Sequence, residues 1–285
     1  MQQRPRPRHR MRVVAGATVV VLGAVLALVW FGQRSLMYHP DRSTPPPAAT
    51  VLDGGQDVTF TTADGLDLTA WHVPATPGCV TVLVAPGNGG NRAMRAPLAQ
   101  ALADQGWGVL LLDYRGYAGN PGAPTQSGLA RDVRAAREWL VRDAGAEHLV
   151  YLGESLGTGV VTELAAEHPP VALVLRSPFT SMSAVADAVY GVPLGWLLRD
   201  RFPTTEHLRS VQVPVAVVLG EQDRLVPPQM SRDVAEIARA GGAPVLEVAV
   251  AGADHNDAEL SWGTDLLEAV GDAVALAGRA CGSEG

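Results

Sequence analysis

Six short apolar runs, at 80–85, 107–114, 149–153, 171–176, 215–220 and 245–250, alternate along this chain with longer segments of helical periodicity. Runs that short and that largely apolar, of which 80–85 is solidly so, read as strands buried on both faces. Strands alternating with helices specify a mostly parallel sheet covered by helices on either side. The helical segments are 92–105, 128–142, 156–168, 231–240 and 260–277. In the second of these, Leu129, Val133, Ala136 and Leu140 share one face. Before the first apolar run, 57–62 and 66–73 flank Ala63-Asp64-Gly65, which predicts an antiparallel hairpin and brings the sheet to eight strands. Residues 178–210 break the alternation. Their apolar pieces 184–190 and 192–198, parted by Gly191 and Pro193, predict a small helical cap insertion over the carboxyl edge of the sheet.

The first part of the chain has a different character. Arg4, Arg6, Arg8, Arg10 and Arg12 precede residues 13–31, which carry no charge and end in Trp30-Phe31. At about 1.5 Å per residue that stretch nearly spans a hydrocarbon core of roughly 30 Å. Basic residues before the span and aromatic rings at its end predict a single-pass signal-anchor with the amino terminus cytoplasmic and the remainder extracytoplasmic. A cleaved signal peptide is the rival, but Leu28 to Phe31 continue the apolar run past the cleavage site that Val25 and Ala27 would offer. The expected division is a basic tail at 1–12, an anchor at 13–31, a linker at 32–56 containing Pro45-Pro46-Pro47, and one domain at 57–285.

Composition excludes several chemistries. Every one of the 22 basic residues is arginine, so a Walker phosphate loop, a pyridoxal Schiff base and a Ser–Lys dyad are ruled out. A net charge of −7 argues against a nucleic-acid partner. The two cysteines, Cys79 and Cys281, lack metal or redox spacing and read as unrelated thiols, with a disulfide open to them only outside the cytoplasm.

The residues that carry chemistry lie where strands end. Gly153-Glu154-Ser155-Leu156-Gly157 follows a strand and opens a helix, the setting in which a serine hydroxyl stands proud of a sheet on a tight turn. Serine needs a base. His255, in the loop after the last strand, is the histidine placed to serve; His39 and His72 precede the nucleophile, and His148, His168 and His207 lie before the strand ending at Gly220. An acid must orient that base. Asp223 follows 215–220 and fits, with Glu221 as the nearest alternative. An oxyanion hole needs two backbone donors. Leu156 supplies one, and Asn88, in Pro86-Gly87-Asn88-Gly89-Gly90-Asn91, the other. A dinucleotide loop would need glycine at Arg92, and the acids around Asp254 and Asp257 lack zinc spacing, so no metal or organic cofactor is expected.

With these segments in hand, the chain resembles the α/β-hydrolase superfamily from about residue 33 onward. It is similar in particular to a branch of membrane-anchored hydrolase-domain proteins described as serine aminopeptidase-like. The resemblance is carried by Ser35-Leu36-Met37-Tyr38-His39-Pro40, Gly87 to Asn91, Leu112-Asp113-Tyr114-Arg115-Gly116-Tyr117, Gly153 to Gly157, Arg176 to Ser181, Gly220 to Pro227 and Asp254-His255-Asn256. Two positions depart from the family pattern. Pro86 stands where histidine is usual, and Asn120 where serine is common. The resemblance implies hydrolysis of an acyl bond in a small or lipid-like substrate, with Ser155, Asp223 and His255 as the triad. It leaves the substrate open, because this fold hosts many chemistries. A peptidase would need a free carboxylate near Ser155, for which Glu154 is the candidate, although Glu154 reads better as a structural residue facing away. A non-catalytic tethered binding module is the remaining alternative. The apolar insertion at 178–210 is expected to line an acyl pocket.

Overall fold

The computed structural model describes residues 7–191, 193, 195–279 and 281. Arg4 and Arg6 of the basic tail, and Val192 and Leu194 of the insertion, lie outside the described residues. Eight strands form the main sheet: β1 Gln56–Thr61, β2 Asp67–Val73, β3 Thr81–Ala85, β4 Gly108–Leu112, β5 Leu149–Glu154, β6 Ala172–Arg176, β7 Val215–Gly220 and β8 Val245–Val250. Their order is β8-β7-β6-β5-β3-β4-β2-β1. From β8 to β4 every pairing is parallel; β2 runs antiparallel to β4, and β1 antiparallel to β2. The expected mostly parallel eight-stranded sheet is therefore present, with the hairpin at one edge.

The sheet buries both faces because side chains alternate along each strand. Leu83, Leu110, Tyr151, Leu173 and Val217 face one apolar core, shared with α3 (Gln126–Arg142), α4 (Leu156–Glu167) and α7 (Pro228–Ala240). Val82, Val109, Val150, Ala172 and Ala216 face the other, shared with α2 (Ala96–Ala103), α8 (Ala258–Trp262) and α9 (Thr264–Leu276), while α5 (Met182–Tyr190) and α6 (Thr204–Leu208) belong to the insertion.

Two expected helices are divided. The stretch read as 92–105 begins as a 3₁₀ turn at Arg92–Arg95, capped by the Asn91 side chain on the Ala93 amide, before α2 starts. The stretch read as 260–277 breaks at Gly263, where a Cβ would come within 2.2 Å of the Glu259 carbonyl.

The amino-terminal helix α1 spans Pro7–Met37, longer than the 13–31 read from the sequence. Within it, Val14–Met37 is long and apolar enough to cross a membrane, with mean hydropathy 2.5. Its carboxyl end docks onto the insertion. Arg34 makes a two-pronged ion pair with Asp200 at 2.8 and 3.0 Å, and Gln33 accepts from the Arg199 amide at 2.7 Å. The chain beyond α1 does not stand free as the linker expected at 32–56. Ala48 and Leu52 are buried, the Ala48 amide donates to Asp57, and His39–Pro40 pairs in parallel with Gly89–Gly90. The prolines there stiffen a segment that is packed on the domain.

The cysteines, read as unrelated thiols, form a disulfide across 202 residues. It ties the start of β3 to the segment after α9.

Candidate active site

Ser155 sits between β5 and α4 at φ +48° and ψ −113°. A non-glycine residue held there costs of order 1–3 kcal/mol, so packing must impose it. The glycines on either side show how. A Cβ on Gly153 would lie 2.6 Å from Val161, and one on Gly157 would lie 2.1 Å from the Ala85 carbonyl. Strand and helix approach so closely that the chain has to turn at Ser155. The Ser155 amide donates to the Arg176 carbonyl on β6, and the Ser155 carbonyl accepts from the Thr158 amide.

Asp223 and His255 come from the adjacent carboxyl ends of β7 and β8. These two loops are laced by backbone bonds, Glu221 to Val250 and Gln222 to Ala253, at 3.1 and 3.0 Å. Asp223 Oδ1 accepts the Leu225 and Val226 amides, which leaves Oδ2 at 2.7 Å from His255 Nδ1. Both residues are about 5% exposed. Burial alone would raise the Asp223 pKa, but the hydrogen bond and charge of His255 hold it below the ordinary carboxylate value. The nearby acids are engaged elsewhere or exposed. Asp254 pairs with Arg224 at 2.7 Å, and the Arg224 and His255 amides together with that guanidinium lower it to about 2. Glu221 is exposed.

Ser155 and His255 line one cleft of about 590 Å³. Asn88 lines it too, and Leu156 is buried beside Ser155 as the first residue of α4. Thus Ser155, His255 and Asn88 share a cavity, with Asp223 bonded behind His255. The apolar wall differs from expectation. Met94, Leu98, Leu225 and Trp262 line the cleft, and no described residue of 178–210 does. The insertion instead makes polar contacts with the end of α1, through Asp200 and Leu197, and with Gln126 and Ser231 of the helices beneath it.

Two features of the site escape the sequence. The first is the clamp on the loop bearing Asn88. Its side chain donates to the Met37 carbonyl and accepts from the His39 amide, while Tyr117 donates to Asn88 at 3.0 Å. Asn91 donates to Asp41 and Ser43. The segment just after α1 thus fastens this loop, and His39 itself reaches the cleft. The second is a buried set of charges. Glu154 is 2% exposed and pairs with Arg95 at 2.9 Å and with Arg176 at 3.8 Å. Only the placement of Ser-Leu-Met-Tyr-His-Pro directly after the anchor hints at the first; in the second, Glu154, expected as a structural residue facing away, is held in ion pairs but lines the cleft.

A family profile described as the alpha/beta hydrolase fold matches residues 80–213. An uncharacterized protein of Mycobacterium tuberculosis is 44% identical over 268 residues, covering 92% of this chain and 94% of that protein. The chain belongs to the α/β-hydrolase family. Lysophosphatidylserine lipase ABHD12 of Danio rerio is 32% identical over 178 residues, 55% of this chain and 47% of that lipase. Among solved structures, an esterase of Pyrococcus furiosus superposes with a TM-score of 0.70 at 19% identity, covering 84% of this chain and 97% of its own. That likeness is one of fold.

Proposed function

We propose that this protein is a serine hydrolase that cleaves acyl esters or thioesters of small or lipid-like molecules, tethered to a membrane by α1. The observation that carries the reading is the 2.7 Å contact of His255 with Asp223, buried against the cleft that holds the strained Ser155. In this reading Ser155 Oγ attacks the carbonyl carbon and gives its proton to His255 Nε2. The carbonyl π electrons move onto oxygen, which the Asn88 and Leu156 amides bind. The tetrahedral adduct collapses, and the leaving alkoxide or thiolate takes the proton from His255. Water then repeats the sequence on the acyl-enzyme, releasing the acid and restoring Ser155. Asp223, held ionised, keeps His255 in the useful tautomer and stabilises its cation. Every step is carried by side chains and amides of the chain, so the scheme calls for no metal or organic cofactor.

The cytoplasmic amino terminus and extracytoplasmic domain follow from the arginines before the span. The Cys79–Cys281 disulfide supports the same orientation, since such bonds persist in oxidising compartments. A peptidase reading is weakened by Glu154. Its carboxylate is committed to Arg95 and Arg176 and has no charge to spare for a free amino terminus.

The test is covalent. A fluorophosphonate probe on the full chain in detergent should label Ser155, and Ser155→Ala should abolish labelling and lower kcat by roughly a million-fold. An unlabelled wild-type protein points to a binding module that kept the fold. Retained activity in Ser155→Ala refutes the assignment outright.

A further inference from the structure

Three loops must hold register for the proposed chemistry: the one bearing Asn88, the turn at Ser155 and the one bearing His255. A single buried carboxylate touches the supports of all three. Glu154 precedes the nucleophile on β5 and lies in the wall of the cleft. Its first partner, Arg95, also donates to the Gly89 and Asn91 carbonyls at 2.9 and 3.2 Å. That guanidinium therefore grips both sides of the turn following Asn88. Its second partner, Arg176, donates to the His255 carbonyl at 2.8 Å, and the Arg176 carbonyl accepts the Ser155 amide. Arg176 is 4% exposed. Arg95 is only partly buried, with 14% of its side chain exposed, and the carboxylate between the two guanidinium groups offsets their mutual repulsion.

We infer that Glu154 is a positioning residue for the proposed reaction, with Arg95 and Arg176 as arms that set the oxyanion loop and the histidine loop against Ser155. The inference rests on the serine-hydrolase reading and adds to it a carboxylate that holds the reacting loops in place and takes no part in bond making or proton transfer. The fork of Arg95 lets one side chain reach a carboxylate and two carbonyls at once, of which a lysine ammonium would keep the charge pairing and only part of the carbonyl contacts. A purely structural Glu154 would change how much protein folds. A positioning Glu154 changes what each folded molecule does.

The experiment separates these two roles. The full chain in detergent is assayed on a short acyl ester, and competent sites are counted by the fluorophosphonate burst, so that kcat refers to labelled molecules only. Arg95→Met should lower per-site kcat by about 10–100-fold, the range of a misplaced oxyanion donor, with KM changed by less than about threefold. Arg95→Lys keeps the charge but not the fork, and should recover part of that loss. Glu154→Gln keeps the shape and an acceptor for Arg95. It should fall between wild type and Arg95→Met, and it decides the matter if Arg95→Met does not fold. Per-site kcat within about threefold of wild type in Arg95→Met, or in Glu154→Gln where that variant stands in, overturns the inference. An Arg95→Lys variant as poor as Arg95→Met overturns it as well. If the wild-type protein itself fails to label at Ser155, the hydrolase reading falls and this inference falls with it.

Discussion

The two walls of the cleft are built by different logic. The wall proposed to carry acid and base comes from β7 and β8, which are neighbours in the sheet, and its loops are fastened mainly to each other: Gln222 to Ala253, Arg224 to Asp254, Asp223 to His255. The wall proposed to carry the oxyanion donor is the loop after β3, and its fastenings come from far away in the sequence. Met37, His39 and Asp41 hold it from the end of α1, and Tyr117 from beyond β4. One wall is therefore complete within the carboxyl-terminal half of the sheet, while the other depends on the segment that leads out of the helix proposed to cross the membrane. Damage to the first should abolish proton transfer, and damage to the second should weaken charge stabilisation by degrees.

The sharpest break falls on the acid–base wall. Asp223→Asn leaves the Leu225 and Val226 amides an acceptor but presents His255 with the wrong hydrogen-bonding partner. We expect kcat to fall by about a thousand- to ten-thousand-fold with KM little altered, by analogy with triads in general. Steady-state kinetics on an acyl ester checks this. A loss below tenfold would mean that the 2.7 Å contact is a structural pairing.

That wall was the legible one. Val215–Gly220 and Val245–Val250 are read from the sequence with the bounds the structure has, because the first is an unbroken apolar run, the second is interrupted only by Glu247, and each ends at a turn. Asp223 and His255 follow them by a few residues, so parallel neighbours bring the two together. The oxyanion wall was legible only in its own residues. Pro86 to Asn91 announces a turn, but its clamp joins Asn88 to Met37 and His39 across about fifty positions, and no local periodicity records such a pairing. Within the linker read at 32–56, composition does not reveal the packing, since a segment with few apolar residues can still be fastened by two well-placed ones, Ala48 and Leu52. The disulfide and the Glu154 cluster escaped for the same reason: each joins residues whose chemistry alone admits blander readings.

Comparing the walls at different pH requires knowing what acid does to the fold as a whole. His72 on β2 is buried against Trp139, away from both walls, and burial pushes its pKa down to about 4. The unfolded chain binds a proton there near pH 6.5 that the folded chain refuses until about pH 4. Stability contributed by neutral His72 is thus fully present above pH 6.5 and is lost as pH falls toward 4. The shift corresponds to about 3 kcal/mol at most. His72→Gln should flatten that part of the stability–pH curve in urea titrations while leaving kcat near wild type at pH 7.5. A curve as steep as that of the wild type would assign the acid sensitivity elsewhere.

The oxyanion wall should yield by smaller steps. Asn88→Ala retains the backbone amide proposed to bind the oxyanion but frees the loop from Met37, His39 and one Tyr117 contact. We expect per-site kcat to drop by about 10–100-fold, less than loss of the acid, because the donor survives and only its placement suffers. If Asn88→Ala matches Asp223→Asn, the walls are not separable and the comparison fails.

The smallest effect is the most discriminating, because it asks which part of α1 matters to the cleft. The described side chains of the apolar stretch up to Phe31 are exposed, whereas the residues that touch the domain begin with Trp30 against Arg199 and continue through Gln33, Arg34 and Met37. Removing residues 1–31 deletes the proposed anchor but keeps the Arg34–Asp200 ion pair and the whole clamp on Asn88. In detergent this shortened protein should keep kcat within about threefold of the full chain. Removing residues 1–43 takes away Met37, His39 and Asp41 as well, and should cost what Asn88→Ala costs, about 10–100-fold, provided circular dichroism shows the sheet intact. Equal activity in the two truncations would show that the oxyanion wall holds itself. A loss already complete at 1–31 would instead make the apolar stretch part of the catalytic unit, acting through the cation–π contact of Arg199 with Trp30 rather than through the clamp.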